Sequence, residues 1–193
     1  MTTRTEILAA ARRAFEEDGE TGLSVRDVAA RVGLTPMAIY RHFENRQALL
    51  DALVLEAIDE WRRRVASIAP CAPLEWLQKI GDAYLDFALR QPRKFEAAFL
   101  VSSPTALRYP DDFLAGGSPA VTLQLRLIKQ VTGRGRGERI APADVLVIIA
   151  GLSQGLITLY RAGRIAGGER KFRALYRRAM DNCVRSFAVE APQ

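Results

Sequence analysis

One histidine and two cysteines in 193 residues close several classes of chemistry at once. A Ser-His-Asp hydrolase or a histidine-bound metal centre would have to use His42. Cys71 and Cys183 lie far apart with no second ligand type beside either, which excludes a disulfide framework and metal-ligand spacing; both are expected as reduced cytosolic thiols. Long apolar runs are equally scarce. The longest, Val145 to Leu152, meets Ser153-Gln154-Gly155 and falls short of the roughly 20 apolar residues a bilayer crossing needs, so it is expected as a fully buried helix. No apolar leader precedes the first charged helix, and a cytoplasmic location is expected. The carboxylate pairs Glu16-Glu17 and Asp111-Asp112 fall in loop or solvated contexts and read as surface charge. Gly133-Arg134-Gly135-Arg136-Gly137 lacks both the spacing and the preceding strand of a phosphate-binding loop and reads as a flexible connection. The expectation is a protein without enzymatic activity, cofactor or metal.

What the chain does have is basic charge, with a formal net charge of +6 and a pI near 9.7. That balance suits a nucleic-acid partner, yet residues 1–50 hold seven arginines and seven carboxylates. The positive footprint of the N-terminal region is therefore local: Arg26, Arg31, Arg41 and Arg46 against Asp27 and Glu44. Most of the excess lies after Arg126, where a DNA partner does not explain it.

The region that carries those arginines has the grammar of two short helices joined by a tight turn. Ser24 can cap the first, with Asp27 three positions on in the manner of a capping box. Val25, Val28, Ala29 and Val32 follow at i, i+3, i+4 and i+7, one buried stripe. Gly33 supplies the positive φ that ends a helix. Thr35 caps the next helix and Pro36 takes its first position, where a missing N–H costs nothing. Ile39 and Phe43 point inward, leaving Met37, Ala38, Tyr40 and Arg41 outward. This is a helix-turn-helix, whose second helix meets base edges with its N-terminal turn, here Thr35, Pro36, Met37 and Ala38. Arg41 can pair with guanine or with phosphate.

The run Gly33-Leu34-Thr35-Pro36-Met37-Ala38-Ile39-Tyr40-Arg41-His42-Phe43, followed by Asn45-Arg46-Gln47-Ala48-Leu49-Leu50, resembles the tetracycline-repressor-like (TetR) family of bacterial regulators. Arg46 stands where that family usually has Lys, and Met37-Ala38 replaces a commoner small pair. The resemblance covers roughly the first fifty residues. It implies that Tyr40, His42 and Arg46 contact backbone phosphates, the alternative for Tyr40 and His42 being internal packing. Ser24 and Arg26, at the start of the first motif helix, complete the expected DNA-binding set.

The rest of the chain reads as helices, giving an all-α fold. A first helix is predicted from Thr3 to about Asp18, ended by Gly19, and a long connecting helix over 45–67 from a cap at Asn45. Pro70-Cys71-Ala72-Pro73 breaks the chain. The expected division is a helix-turn-helix domain over 1–46 and a C-terminal effector-binding and dimerisation domain over 68–193. Helices are predicted over about 74–90, 92–100, 119–132, 144–160 and 169–189, with mostly loop over 102–119. The resemblance implies a C-terminal cavity for a small hydrophobic or amphipathic effector. Trp76, Tyr84, Phe87, Phe99, Phe113, Gln124, Gln154 and Tyr160 are its candidate lining, ordinary core packing being the alternative. It also implies a homodimer through the last two helices, with Leu152, Gly155, Leu156, Leu159, Leu175, Tyr176, Met180 and Phe187 as candidate contacts. The partners expected are a near-palindromic double-stranded operator, a second copy of the chain and an unidentified small molecule, with no membrane. The rival reading is a helical small-molecule-binding or interaction module whose head no longer reads DNA.

Overall fold

The structure, a computed structural model of the chain, describes residues 3–104, 106–132 and 140–187. Among the described residues all regular structure is helical: α1 Arg4–Gly22, α2 Val25–Arg31, α3 Pro36–Tyr40, α4 Arg46–Ala66, α5 Pro73–Arg90, α6 Pro92–Phe99, α7 Asp111–Leu114, α8 Pro119–Thr132, α9 Pro142–Arg161 and α10 Gly168–Ser186. Gly133 to Gly137 and the end of the last expected helix lie outside the described residues. Two compact units form, one from Met1–Arg63 with Phe87–Ala106, the other from Arg64–Asp86 with Leu107–Gln193. Both α4 and α5 therefore run from one unit into the other.

In the first unit, α1 begins with a complete capping box. Thr3 Oγ1 accepts from the Glu6 amide at 3.3 Å, and Glu6 Oε2 accepts from the Thr3 amide at 2.6 Å. Gly19, at φ +70°, breaks the helical geometry where the sequence predicts a stop, and one further turn reaches Gly22. The core joins Ile7, Ala11 and Phe15 of α1 to Val28 and Ala29 of α2, Ile39 of α3, Leu49, Leu50 and Leu53 of α4 and Ala97 of α6. Arg12 grips Glu56 in a bidentate pair, 2.9 and 3.0 Å, that fastens α1 to α4. Trp61, Phe87, Phe95 and Phe99 form a second cluster, with Phe95 and Phe99 centroids 5.1 Å apart.

The second unit is built on a polar ladder that composition alone does not reveal. Gln78, Asp82 and Asp86 lie one turn apart on α5, and they meet Asp181, Arg177 and Arg173 in reverse order on α10. The opposed order makes the two helices antiparallel. The C-terminal arginines that a DNA partner leaves unexplained are thus partly helix-to-helix ties. Behind the ladder, the Tyr176 hydroxyl donates to the Gly81 carbonyl at 3.2 Å and lies 3.1 Å from Ser153 Oγ, linking α10 to α5 and α9.

The α9 run, expected as fully buried, is covered on one side only. Val145, Leu146, Ser153 and Ile157 are inside, whereas Ile148, Gly151, Gly155 and Leu159 are exposed along one stripe. The whole of α9, unlike the run itself, is long and apolar enough to cross a membrane, a measure that core helices of soluble proteins also meet. Apolar content predicts that both faces want cover, but not that one chain supplies it.

Burial pushes the Tyr176 hydroxyl up to about 12 from its ordinary 10.0. The unfolded chain then loses this proton first as pH rises, so the stabilisation is complete below pH about 10 and is lost as pH climbs through about 12. Tyr176→Phe should cost about 1–3 kcal/mol at pH 8, because two polar partners lose their neighbour. The deficit should narrow at pH 11 in urea-denaturation midpoints; an equal deficit at both values would contradict this.

Candidate nucleic-acid interface

Each end of the helix-turn-helix is set by a local bond the sequence predicts. Ser24 Oγ accepts from the Asp27 amide at 3.4 Å and Thr35 Oγ1 from the Ala38 amide at 3.3 Å. The capping box at Ser24 is one-sided, because the Asp27 carboxylate turns to Arg31 instead, 2.7 Å from its Nε. At the end of α2, Gly33 adopts φ +68°. Its amide bonds the Ala30 carbonyl at 3.2 Å, while the Leu34 amide reaches back to Ala29 at 2.9 Å. Those two bonds are a Schellman motif, and they aim the chain into α3.

A five-residue helix has no independent stability. What holds α3 is the burial of Ile39 and of Phe43 just beyond it, both almost completely enclosed. Fixing that face inward forces the other outward. Met37 is 70% exposed and Tyr40 45%. Ser24, Arg26, Thr35, Pro36, Arg41 and His42 are exposed as well, and Ala38 is half-buried. The expected DNA-binding residues other than Arg46 therefore share one short, accessible segment around α3 and the start of α2.

Arg46 has a different setting. Its Nε donates to the Leu23 carbonyl at 2.7 Å, its Nη2 to the Glu20 carbonyl, and its Nη1 lies 3.8 Å from the Glu20 carboxylate. The guanidinium binds the carbonyl end of the α1 region, where helix carbonyls concentrate negative potential, and so fixes the start of α4. Arg31 is also taken: Glu17 holds it at 2.6 and 3.0 Å in addition to Asp27. Its hydrogen bonds to the Glu17 carboxylate, then to Asp27, raise its pKa above the ordinary arginine value. The local positive balance read from the sequence is accordingly carried by fewer charges. The signal for this was present in Glu17 and Glu20, which lie close in space to the motif but outside it in sequence.

The candidate effector residues are distributed by unit. Phe87 and Phe99 belong to the aromatic cluster of the first unit. In the second, Tyr84 and Gln154 share a hydrogen bond, Tyr84 being held above its ordinary pKa first by burial. Tyr160 stacks on Phe172 with centroids 4.1 Å apart, and Phe113 packs edge-on to Tyr109. Trp76 is buried, and Gln124 bonds the Ala120 carbonyl of its own helix. A separate cleft of about 490 Å³ between α5 and α10 is lined by Gln78, Asp82, Tyr176 and Arg177. Of the candidate dimer residues, Gly155 and Leu159 are exposed and Leu152, Leu156, Leu175 and Phe187 half-buried. Tyr176 and Met180 are buried within the chain. No group of three potential ligands capable of holding a metal occurs among the described residues.

Comparison with known proteins agrees with this geometry. Residues 7–53 match the family of bacterial regulatory proteins described as the tetR family, and residues 77–183 match the tetracyclin repressor-like C-terminal domain. The regulator UidR of Escherichia coli K12 is 37% identical over 54 residues, 28% of either chain. TtgR of Pseudomonas putida is 39% identical over 82 residues, 40% of this chain and 39% of its own. The chain thus spans well under half the length of these curated relatives. Among solved structures, a Rhodococcus protein of unknown function superposes with TM-score 0.71 at 24% identity, covering 98% of this chain and 96% of its own. A TetR variant from Acinetobacter baumannii, in complex with minocycline, gives TM-score 0.66 at 18% identity over 97% of both chains. Matched in both halves, the chain belongs to the TetR family of transcriptional regulators, with a DNA-binding N-terminal domain.

Proposed function

We propose that the protein works as a homodimeric repressor that a small-molecule effector releases from a near-palindromic operator. The observation that carries the reading is the pairing of two unsatisfied surfaces: the exposed outer face of α3 and the exposed apolar stripe of α9. Thr35, Pro36, Met37 and Ala38 would meet base edges. Ser24, Arg26, Tyr40 and His42 would meet phosphates, and Arg41 either. Arg46 would act chiefly by holding the head's geometry.

On α9, Ile148 and Leu159 stand 44% and 47% exposed, and open space faces Gly151 and Gly155. Small residues flanked by apolar ones favour close approach of another helix. Leu152, Leu156, Leu175 and Phe187 would extend the contact, toward the 2,000 Å² or more that obligate dimers commonly bury. A two-fold dimer presents two heads, which is why the operator should be near-palindromic.

The minocycline complex of the Acinetobacter neighbour supports a small-molecule effector. In the second unit, Tyr84, Gln154, Trp76, Phe113, Gln124 and Tyr160 are its proposed environment. Binding would alter DNA affinity only through a difference in effector affinity between two head arrangements. The helix α4, continuous from head to C-terminal unit, would carry that difference. The protein would act in the cytoplasm.

Two outcomes test this reading. Tyr40→Phe combined with His42→Ala should weaken binding at every sequence in mobility-shift titrations. Met37 and Ala38 substitutions should instead change which sequence is preferred; unchanged affinity and preference throughout would refute DNA reading by α3. Leu159→Glu should shift the sedimenting species from a dimer to the 21.4 kDa monomer. A wild type already monomeric at micromolar concentration would refute the dimer.

A further inference from the structure

The arginines of the head separate by what already holds them. Arg12 is gripped by Glu56, Arg31 by Glu17 and Asp27, and Arg46 by Glu20 and the Leu23 carbonyl. A guanidinium facing a carboxylate at such distances has little capacity left for a phosphate. Arg26 and Arg41, exposed within the motif, have no carboxylate partner among the described residues. Arg4 is the third such cation near α3, and it lies outside the helix-turn-helix altogether.

Arg4 opens α1, and its guanidinium carbon sits 4.5 Å from the centroid of the Phe43 ring. Phe43 directly follows the exposed Tyr40, Arg41 and His42. The fold thus carries a charge from the first turn of α1 to the C-terminal end of the α3 segment, some forty positions away in sequence. The nearest carboxylate in sequence, Glu6, is occupied by the Thr3 amide. Arg4 is exposed, so a guanidinium held over the ring still presents N–H groups to solvent. A side chain already immobilised on a ring also loses less freedom when it meets a ligand.

We propose that Arg4 is a DNA-backbone contact, pre-positioned by Phe43 to bind a phosphate flanking the groove that receives α3. The proposal rests on α3 being the groove-entering helix. The charge it adds lies beyond the motif's own cations, on the side of the helix end, and it widens the footprint of the head without adding sequence preference.

The experiment uses the full chain and a DNA fragment that the wild type selects from a random pool, titrated between 50 and 200 mM salt. Arg4→Met keeps an unbranched side chain over Phe43 and removes the charge; Arg4→Lys keeps the charge. Arg4→Met should leave the selected sequence and the melting temperature unchanged. Its plot of log affinity against log salt should be shallower by about 0.9 for each head engaged. With two heads bound, the gap between wild type and Arg4→Met should close about tenfold across that range. Arg4→Lys should retain the wild-type slope. If wild type selects DNA and Arg4→Met shows the wild-type slope, Arg4 merely covers Phe43 and the proposal falls alone. A fall in melting temperature with an unchanged slope overturns it likewise. A wild type that selects no sequence would overturn the reading of α3 as well.

Discussion

Burial of Ile39 and Phe43 is the constraint on which the functional surface depends. A helix of five residues contributes too few backbone bonds to hold itself. It persists because one side is enclosed by α1, α2 and α4, and that enclosure dictates which residues face solvent. The caps at Ser24 and Thr35 and the left-handed Gly33 then set the angle at which α2 hands the chain to α3. Core packing in the head and the ability to present Met37 and Tyr40 are therefore one property. A cavity left by truncating Ile39 would be felt as lost stability, on the order of 2–5 kcal/mol, and as lost definition of the reading face.

Charge is apportioned in a similar way. The head is neutral in sum, and its acids are not spread evenly. Glu17 and Glu20, around the end of α1, neutralise Arg31 and Arg46, while Glu56 neutralises Arg12. These ties join α1 to α2 and α4. Arg4, Arg13, Arg26 and Arg41 remain outside them. In the second unit, Asp82 and Asp86 perform the corresponding service for Arg177 and Arg173, so a basic last helix becomes a strut against α5. Net charge alone is a poor guide to a binding surface when so many of its contributors face each other.

Much of this was legible in the sequence, and the parts that were not share a cause. Local signals sufficed for α1 to α4 and for α8, whose Pro119–Thr132 span is the predicted one. Capping residues, Gly33 and the i, i+3, i+4 spacing act within a turn or two of themselves. Legibility failed where the answer depends on residues far apart in sequence. Arg46 and Glu20 are an example, as are the rungs joining α5 to α10 across about a hundred positions and Arg4 over Phe43. The α9 run shows the complementary limit: its composition declares a need for cover on all sides, while the single chain covers one. For the candidate effector residues, aromatic content marks apolar surroundings without marking a cavity, and Phe87 and Phe99 prove to pack with Trp61 and Phe95.

The central claim is that the outer face of α3 enters the major groove of DNA. Attaching a DNA-cleaving reagent at Met37→Cys and mapping cuts on the selected fragment tests it most directly. The account predicts two clusters of cuts at major-groove positions, about one helical turn or a multiple of it apart, related by the two-fold of the site. Protein bound to the same fragment with no cuts, or with cuts scattered along it, would contradict the account.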